Sequence, residues 1–348
     1  MSYLTIFIVA LNNNIIMQYM ISLLVFCIIL FLYIHVYFHL KKCNDLEVLV
    51  LDNEPSKEKF EEVCNLRQPV LFDFYEEDIE RSCNLSYVSS NYGAFDIHVR
   101  NTHDNKSNLT HLPMTLQSCI NLMNSDKESK VLSEKNQPFL EETSMIKTMK
   151  YNDMFLRPYM VSNCYYDYMF GSNGVRTPLS YNLNFRNFYY ANEGTFKVML
   201  IPPKFSKYLY GIKDYENFHF YSPVNPWDVQ AKYRADFSKI KTLEISVTKG
   251  QALYIPAYWW YSIQYSSKCS ISVFQYRTYM NNVAISPHLG MRLLQSQNVK
   301  REMVKTKPID ELKKSTTESP AEHIQQHDTI DEIIENKNNT KSEGEKTI

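Results

Sequence analysis

Charged residues are absent from the start of this chain. Residues 1–40 contain no aspartate, glutamate, lysine or arginine, and residues 15–40 form one apolar run. This run is longer than the ~20 residues that a membrane span requires. We interpret residues 1–14 as a short N-terminal segment and residues 15–40 as a transmembrane helix in a lipid bilayer. A cleaved signal peptide is the alternative, but a basic start and a small-residue cleavage site are both missing.

An excess of charge of either sign is also lacking. The chain has 37 basic and 38 acidic residues, a formal net charge of −1. Such a chain has no overall positive field to attract a phosphate backbone, so we exclude nucleic acid as a partner. The partners we expect are the bilayer and a protein of unknown identity.

Closely spaced cysteine pairs are missing as well. The seven cysteines include no C-x-x-C pair, and their odd number fits a disulfide framework poorly. Reduced thiols favour a cytosolic location. Lys41 and Lys42 follow the span and no basic residue precedes it, which also predicts a cytoplasmic domain, on a host endomembrane or a virion membrane. Four glycosylation sequons would matter only in a lumen, and an asparagine-rich chain contains such sequons by chance: Asn84, Asn105, Asn108 and Asn338.

Two histidines near the end of the span, His35 and His39, share one helical face. A metal-binding pair is one interpretation of this spacing. The neighbouring Tyr33 and Tyr37 favour the other, in which the group anchors the helix at the membrane interface.

The rest of the chain divides into a linker (residues 41–55), a folded domain (56–295) and a tail (296–348). Ser56 is a predicted N-cap, and a second helix is expected after Thr115. Beyond residue 151 the pattern predicts strands over residues 195–201, 242–247, 253–255 and 270–276. The fold class is therefore mainly β with helical decoration. The tail lacks aromatic residues and is rich in charge, which predicts a disordered, solvated spacer rather than a docking motif.

Several short motifs occur in a characteristic order. They are Gly171 with residues 177–179, Asn187 with Phe188, Gly194, residues 200–203, residues 222–227, Lys249 with Gly250, and residues 255–260. In this order they resemble the cupin-like branch of the JmjC family over residues 56–291. The resemblance implies a double-stranded β-helix of the kind found in asparaginyl and histone hydroxylases that use Fe(II) and 2-oxoglutarate. Residues 186–188, 214–217 and 276–281 resemble variants encoded by giant DNA viruses.

The resemblance also implies where metal ligands would lie. The family places His-x-Asp after Thr-Pro-Leu and a second histidine after the paired tryptophans, and those positions here are Ser180, Asn182 and Tyr261. Neutral oxygens and an ordinary tyrosine do not supply the imidazole and carboxylate that ferrous iron favours. We therefore predict no metal and no cofactor, and a hydrogen bond from Tyr261 to Asn182 or Ser180.

A shifted register does not restore the ligand set. None of the nine histidines is followed two residues later by an acid. His219 is the nearest histidine, and we expect it to be a loop or core residue. We also expect no carboxylate and imidazole close to the former metal positions.

The 2-oxoglutarate pocket that the resemblance implies is incomplete. Its positions map to Thr177, Asn187 and Phe196, and the last of these holds a lysine or similar group in the family. The adjacent Lys197 should face the opposite side of its strand. Without a cation on the inner face, we expect these positions to be structural remnants.

These observations lead to three functional hypotheses. The first is a membrane-anchored, catalytically inactive cupin-like domain that acts as an interaction or structural module, in a large DNA virus. The second is an active hydroxylase or demethylase that uses iron and 2-oxoglutarate with non-standard ligands. The third is a protein that binds a small polar ligand in a neutral, aromatic cavity.

Overall fold

A computed structural model describes residues 2–51, 55–102 and 111–301, with side chains from residue 16 to 297 within those ranges. The sequons at Asn105, Asn108 and Asn338 and most of the predicted tail lie outside the described residues. Among the described residues, those up to residue 293 form one compact unit.

Within the described residues the chain forms ten α-helices and two short 3-10 helices. The α-helices are α1 (Ser2–Leu40), α2 (Lys57–Asn65), α3 (Glu77–Ser82), α4 (Leu85–Tyr92), α5 (Leu116–Ser125), α6 (Gln137–Glu142), α7 (Met145–Tyr151), α8 (Arg234–Phe237), α9 (Tyr279–Ala284) and α10 (Ser286–Arg301). The 3-10 helices are Pro203–Tyr208 and Ala231–Tyr233.

Fifteen β-strands occur in the same described part of the chain. They are β1 (Leu49–Leu51), β2 (Val70–Asp73), β3 (Asp96–Asn101), β4 (Leu112–Thr115), β5 (Val131–Ser133), β6 (Val161–Gly171), β7 (Ser180–Tyr181), β8 (Arg186–Glu193), β9 (Thr195–Ile201), β10 (Ile212–Asp214), β11 (His219–Tyr221), β12 (Leu243–Thr248), β13 (Gln251–Tyr254), β14 (Trp260–Tyr265) and β15 (Ser270–Thr278).

The strands form two sheets that face each other as a double-stranded β-helix. The larger sheet has the order β1-β2-β13-β8-β15-β6-β5-β3-β4, and the smaller has the order β10-β11-β7-β14-β9-β12. All neighbours within the described strands are antiparallel except β1 and β2. The predicted fold class, mainly β with helical decoration, is confirmed.

Side chains on the two faces of the larger sheet belong to different cores. Val273 of β15 faces the smaller sheet and packs with Phe196 and Ile263. Phe274, one residue further along, packs on the other face, where Phe60 of α2 also lies. Successive side chains of a strand point to opposite faces, so one strand contributes to both cores.

The helix starts that the sequence predicts occur in the structure. Ser56 Oγ accepts a hydrogen bond from the Lys59 amide at 3.4 Å, and Thr115 Oγ1 accepts one from the Ser118 amide at 3.3 Å. Both residues satisfy an amide that a helix start leaves without a partner. Strand β9 has the predicted bounds, whereas β15 continues two residues beyond the predicted end, to Thr278.

Helix α1 carries the apolar run. Its stretch Ile16–Leu40 is long and apolar enough to cross a membrane, and its side chains are mostly exposed. His39 is an exception, because its Nε2 atom hydrogen-bonds Thr278 Oγ1 at 2.9 Å and the residue is buried. His39 therefore contacts the folded domain. Its expected role as an anchor at the membrane interface stays a prediction.

A buried charge joins α2 to the larger sheet. The guanidinium of Arg186 is fully buried and donates to Glu61 Oε2 at 2.9 Å and Asn65 Oδ1 at 2.7 Å. Tyr254 OH accepts a third hydrogen bond at 3.1 Å. Removal of one member of a buried ion pair is strongly destabilising, because the other charge stays buried without compensation.

Glu61→Gln should lower the free energy of unfolding by about 3 kcal/mol, because Arg186 would keep its charge without the carboxylate. Chemical unfolding of the full chain in neutral detergent measures the change. Glu244→Gln, which removes an exposed pair with Lys197, is the matched control and should change stability by less than about 0.5 kcal/mol. Equal losses in both variants would contradict a structural role for the buried pair.

Candidate functional site

The three positions of the implied metal site lie at one end of the barrel. Tyr261, near the start of β14, is directly opposite Ser180 of β7 in the antiparallel register. Asn182 follows β7, and its side-chain amide donates to Tyr261 OH at 3.1 Å. The predicted hydrogen bond between Tyr261 and Asn182 is confirmed.

A second phenol completes this polar cluster. Tyr189 OH accepts a hydrogen bond from the Asn182 amide at 3.3 Å, and the rings of Tyr189 and Tyr261 lie 5.3 Å apart. Burial raises the pKa of Tyr261, so its hydroxyl stays protonated at neutral pH. The cluster therefore consists of neutral groups that satisfy one another.

The turn before β14 orients the side chains of the polar cluster. Tyr258 has a left-handed backbone conformation, with φ 69°, and its amide donates to the Asn182 carbonyl at 2.9 Å. A bulky residue rarely adopts this conformation. Trp259 and Trp260 follow and fill two different apolar clusters, as strand alternation predicts. Because of this turn, the residue after the tryptophans faces the cavity.

The cluster lies in a cavity of about 370 Å³ between the two sheets. Its walls come from β6, β7, β8, β11, β14 and β15, from the segment after β5 and from α10. The cavity is large enough for a small polar molecule.

The cavity also contains an imidazole and two carboxylates. His219, Glu134 and Asp167 line it together with Tyr261. The expectation that no carboxylate and imidazole would lie nearby is therefore wrong, because β6, β11 and the segment after β5 converge on the same end of the barrel. His219 belongs to β11 and faces the cavity, rather than being a loop or core residue.

Both carboxylates already have strong partners. Despite burial, the Arg100 guanidinium, whose Nε lies 2.6 Å from Glu134 Oε1, keeps the pKa of Glu134 below its usual value. Asp167 accepts hydrogen bonds from the backbone amides of Lys135, Asn136 and Tyr168 at 2.6–2.8 Å. Burial nevertheless raises the pKa of Asp167 to about 6. Neither carboxylate is free to bind a cation.

His219 differs from the two acids because one of its ring nitrogens lacks a partner among the described residues. Its Nδ1 atom is buried and has no hydrogen-bond partner among the described residues. Burial lowers the pKa of His219 to about 4, against the opposing effect of Glu134, so the imidazole is neutral at pH 7.

Ferrous iron does not fit these residues. The three family positions supply a hydroxyl, an amide and a protonated phenol, which are weak ligands for Fe(II). Within the described residues, no three histidine, cysteine, aspartate or glutamate side chains lie close enough together to hold a metal ion. We therefore derive no chemical step through iron.

The residues at the implied cosubstrate positions hydrogen-bond the backbone or fill the apolar core. Thr177 Oγ1 accepts a hydrogen bond from the Ile263 amide at 2.8 Å, and the Asn187 amide donates to the Ile255 carbonyl at 3.1 Å. Phe196 is fully buried in the apolar core. Lys197 faces outward and pairs with Glu244 at 3.1 Å, as strand alternation predicts.

Cationic side chains that were not assigned to the site from the sequence also line the cavity. Arg277 at the end of β15 and Arg292 of α10 both reach it, in addition to Arg100 and Lys135. The expectation of a neutral cavity is therefore wrong. Strand alternation within β15 could have identified Arg277, which shares a face with Val273 and the intervening Gln275. Arg292 reaches the cavity only through the packing of α10.

Two facing antiparallel sheets with a site at one open end define the cupin class of protein. A family model described as a cupin-like domain matches residues 55–278, more than half of the chain. The chain belongs to the cupin-like domain family.

Among curated proteins, HSPB1-associated protein 1 from Rattus norvegicus, Mus musculus and Bos taurus is similar to this chain. Each is 25% identical over 104 residues, which is 30% of this chain and 22% of the relative. The chain thus aligns with about a fifth of the length of these relatives.

The pH dependence of stability should reveal the buried neutral state of His219. Its folded pKa of about 4 lies below the ordinary value of 6.5, so the unfolded chain binds a proton first as the pH falls. The contribution of His219 is therefore present above pH 6.5 and is lost as the pH falls towards 4. Asp167, with its raised folded pKa, acts in the opposite direction over the lower part of this range.

His219→Gln isolates the effect of the imidazole. Between pH 7.5 and pH 4.5 the wild type should lose on the order of 1–2 kcal/mol more stability than the variant. Urea unfolding of the full chain over a series of pH values measures this difference, and pH 7.5 is the internal reference because the imidazole is neutral in both states there. Parallel curves for the two proteins would contradict the assignment.

Proposed function

We propose that this chain is a membrane-anchored cupin-like domain whose barrel site works without a metal and serves as an interaction module. The hydrogen bond between Asn182 and Tyr261 carries the proposal, because it joins two of the three family ligand positions through neutral groups. A site of this kind holds a partner group or a small polar molecule, but it does not activate oxygen.

Membrane attachment is part of this proposal. The apolar stretch Ile16–Leu40 supports it, as does the absence of charge before Lys41. The basic residues after the span support a cytoplasmic domain. The likeness of residues 214–217 and 276–281 to variants from giant DNA viruses supports a viral origin, with a host endomembrane or a virion membrane as the location.

The cavity favours one second candidate, a binding site for a small polar ligand. Its volume of about 370 Å³, its cationic lining and the unpaired Nδ1 of His219 support this function. The name of the relatives, HSPB1-associated protein 1, describes association with another protein, which supports an interaction role. An active iron-dependent hydroxylase or demethylase, the second hypothesis from the sequence, is the one that the donor groups fit least.

Iron titration distinguishes a metal-free site from a metal-dependent one. The wild type should bind no stoichiometric Fe(II) under anaerobic conditions, whereas a triple variant with Ser180→His, Asn182→Asp and Tyr261→His should bind about one iron per chain. Metal analysis after gel filtration measures both. Tyr261→His alone is the control, because one imidazole does not complete the ligand set. Stoichiometric iron in the wild type would contradict the proposal.

Extraction of the expressed full chain tests its attachment. The protein should stay with membranes in alkaline carbonate and enter solution only with detergent, because a span is held by its apolar surface rather than by charge. Protease protection of intact vesicles then reports the side on which the domain lies. Release by carbonate would exclude a transmembrane helix, and glycosidase-sensitive mass would place the domain in a lumen.

A further inference from the structure

The end of the proposed membrane span contacts the domain directly. The His39 imidazole bonds Thr278, and its ring lies 4.8 Å from that of Phe185. The buried guanidinium of Arg67 lies beside the rings of Phe38 and Phe185, 5.2 and 4.3 Å from their centres. The last turn of the span is thus packed against the barrel. If the proposed attachment holds, this contact brings the adjacent domain surface close to the lipid headgroups.

The mouth of the cavity lies at this same end of the barrel. Thr278, which binds His39, is the residue after Arg277, which lines the cavity. The side chain of Asn184, next to Phe185 in sequence, accepts a hydrogen bond from Arg277 Nε at 2.6 Å. The span and the cavity mouth are therefore separated by one strand end and one short loop.

Two guanidinium groups meet at the mouth. Arg277 and Arg292 both lie over the ring of Phe218, at 5.1 and 5.3 Å. Burial lowers the pKa of Arg277, and the charge of Arg292 lowers it further. Arg277 is only 7% exposed. Of its three guanidinium nitrogens, Nε alone has a hydrogen-bond partner among the described residues. The guanidinium groups of Arg277 and Arg292 therefore have no anionic partner among the described residues.

Further basic groups continue from the mouth towards the span. His288 lies one helical turn before Arg292 on α10, so both project from one face of that helix. Burial lowers the pKa of His288, and Lys213 and Lys42 lower it further. His288 is therefore neutral at pH 7 and hydrogen-bonds Tyr215 OH at 3.2 Å. Lys42 follows the span by two residues, and its Nζ lies 4.4 Å from the ring centre of Tyr258. We name the cations around His288, namely Lys42, Lys213, Arg292 and Arg277, the basic strip.

Acidic side chains do not neutralise the basic strip. Within the described residues, none of its lysines or arginines lies within 4 Å of a carboxylate oxygen. The nearby Asp214 accepts hydrogen bonds from the backbone amide and the side chain of Asn217, at 3.1 and 2.7 Å. These bonds stabilise the turn over residues 214–217. That turn ends at Phe218, whose left-handed φ of 51° fixes the ring shared by the two arginines.

We propose that the basic strip binds the phosphate group of an anionic membrane lipid, with the headgroup reaching the cavity mouth between Arg292 and Arg277. Arginine pairs with phosphate through two parallel hydrogen bonds, and the Nη atoms of Arg277 are available for this. A bilayer lipid is favoured over a soluble anion because the strip begins at the end of the span. The proposal rests on the membrane attachment proposed above, but it does not depend on the metal content of the barrel.

Thermal unfolding of the full chain in lipid nanodiscs tests the proposal. The midpoint should be several degrees higher in discs of phosphatidylcholine with phosphatidic acid than in discs of phosphatidylcholine alone, because a ligand that binds only the folded state stabilises it. Arg292→Gln and Arg277→Gln should each remove more than half of this rise. Arg234→Gln, an exposed arginine away from the strip, is the charge-matched control and should keep the rise.

Other results of the nanodisc experiment would contradict the proposal or its choice of a lipid. Equal wild-type midpoints in the two kinds of disc would overturn the proposal, as would equal rises for Arg292→Gln and Arg234→Gln. If inorganic phosphate added to phosphatidylcholine discs gave the full rise, the ligand would be a soluble anion and the lipid source would be wrong. Arg292 is exposed, so its variant keeps the test valid even if Arg277→Gln fails to fold. A chain that does not enter discs at all would count against membrane attachment itself.

Discussion

Side-chain alternation along β15 determines which of its residues reach the barrel interior and which contact the end of α1. Val273 and Arg277 point between the two sheets, whereas Phe274 and Thr278 point to the opposite face. One face of a single strand therefore supplies an arginine to the cavity, and the other supplies the hydroxyl that binds His39. A shift of one residue in the register would exchange these roles, so the pairing of β15 with β6 and β8 determines both surfaces.

The barrel keeps the cupin arrangement but has a different chemistry at its open end. Hydrogen bonds among Asn182, Tyr189 and Tyr261 satisfy polar groups that would otherwise be buried without partners. These neutral groups satisfy one another and form a fixed part of the cavity wall. Selection of a ligand then depends on the charged side chains around them. Glu134 is compensated by Arg100, whereas Arg277 and Arg292 are not compensated by any acid within the described ion pairs. The imbalance favours an anionic ligand over a cation.

Contact between α1 and the domain would link this chemistry to a membrane under the attachment proposed above. A flexible linker would let the domain leave the bilayer surface, but the packing of Phe38 and His39 against Phe185 and Arg67 fixes its position. The ligand that such a domain meets at the highest local concentration is the lipid around its own anchor. Under the function proposed above, such a barrel would serve binding rather than turnover.

Local chemistry was sufficient to predict much of this protein. The apolar run of α1, the caps at Ser56 and Thr115 and the bounds of β9 all depend on composition and short spacing. The positions Ser180, Asn182 and Tyr261 came from the family resemblance, and the structure brings them together at one end of the barrel. The positions of His219, Glu134, Asp167 and Arg292 around one cavity depend on strands and a helix that are distant in sequence. Hydrophobic periodicity reports which face of an element is buried, but it does not report which other element covers that face. Only the pairing of the sheets and the packing of α10 and α1 on the barrel decided that the cavity is cationic and lies beside the end of the span.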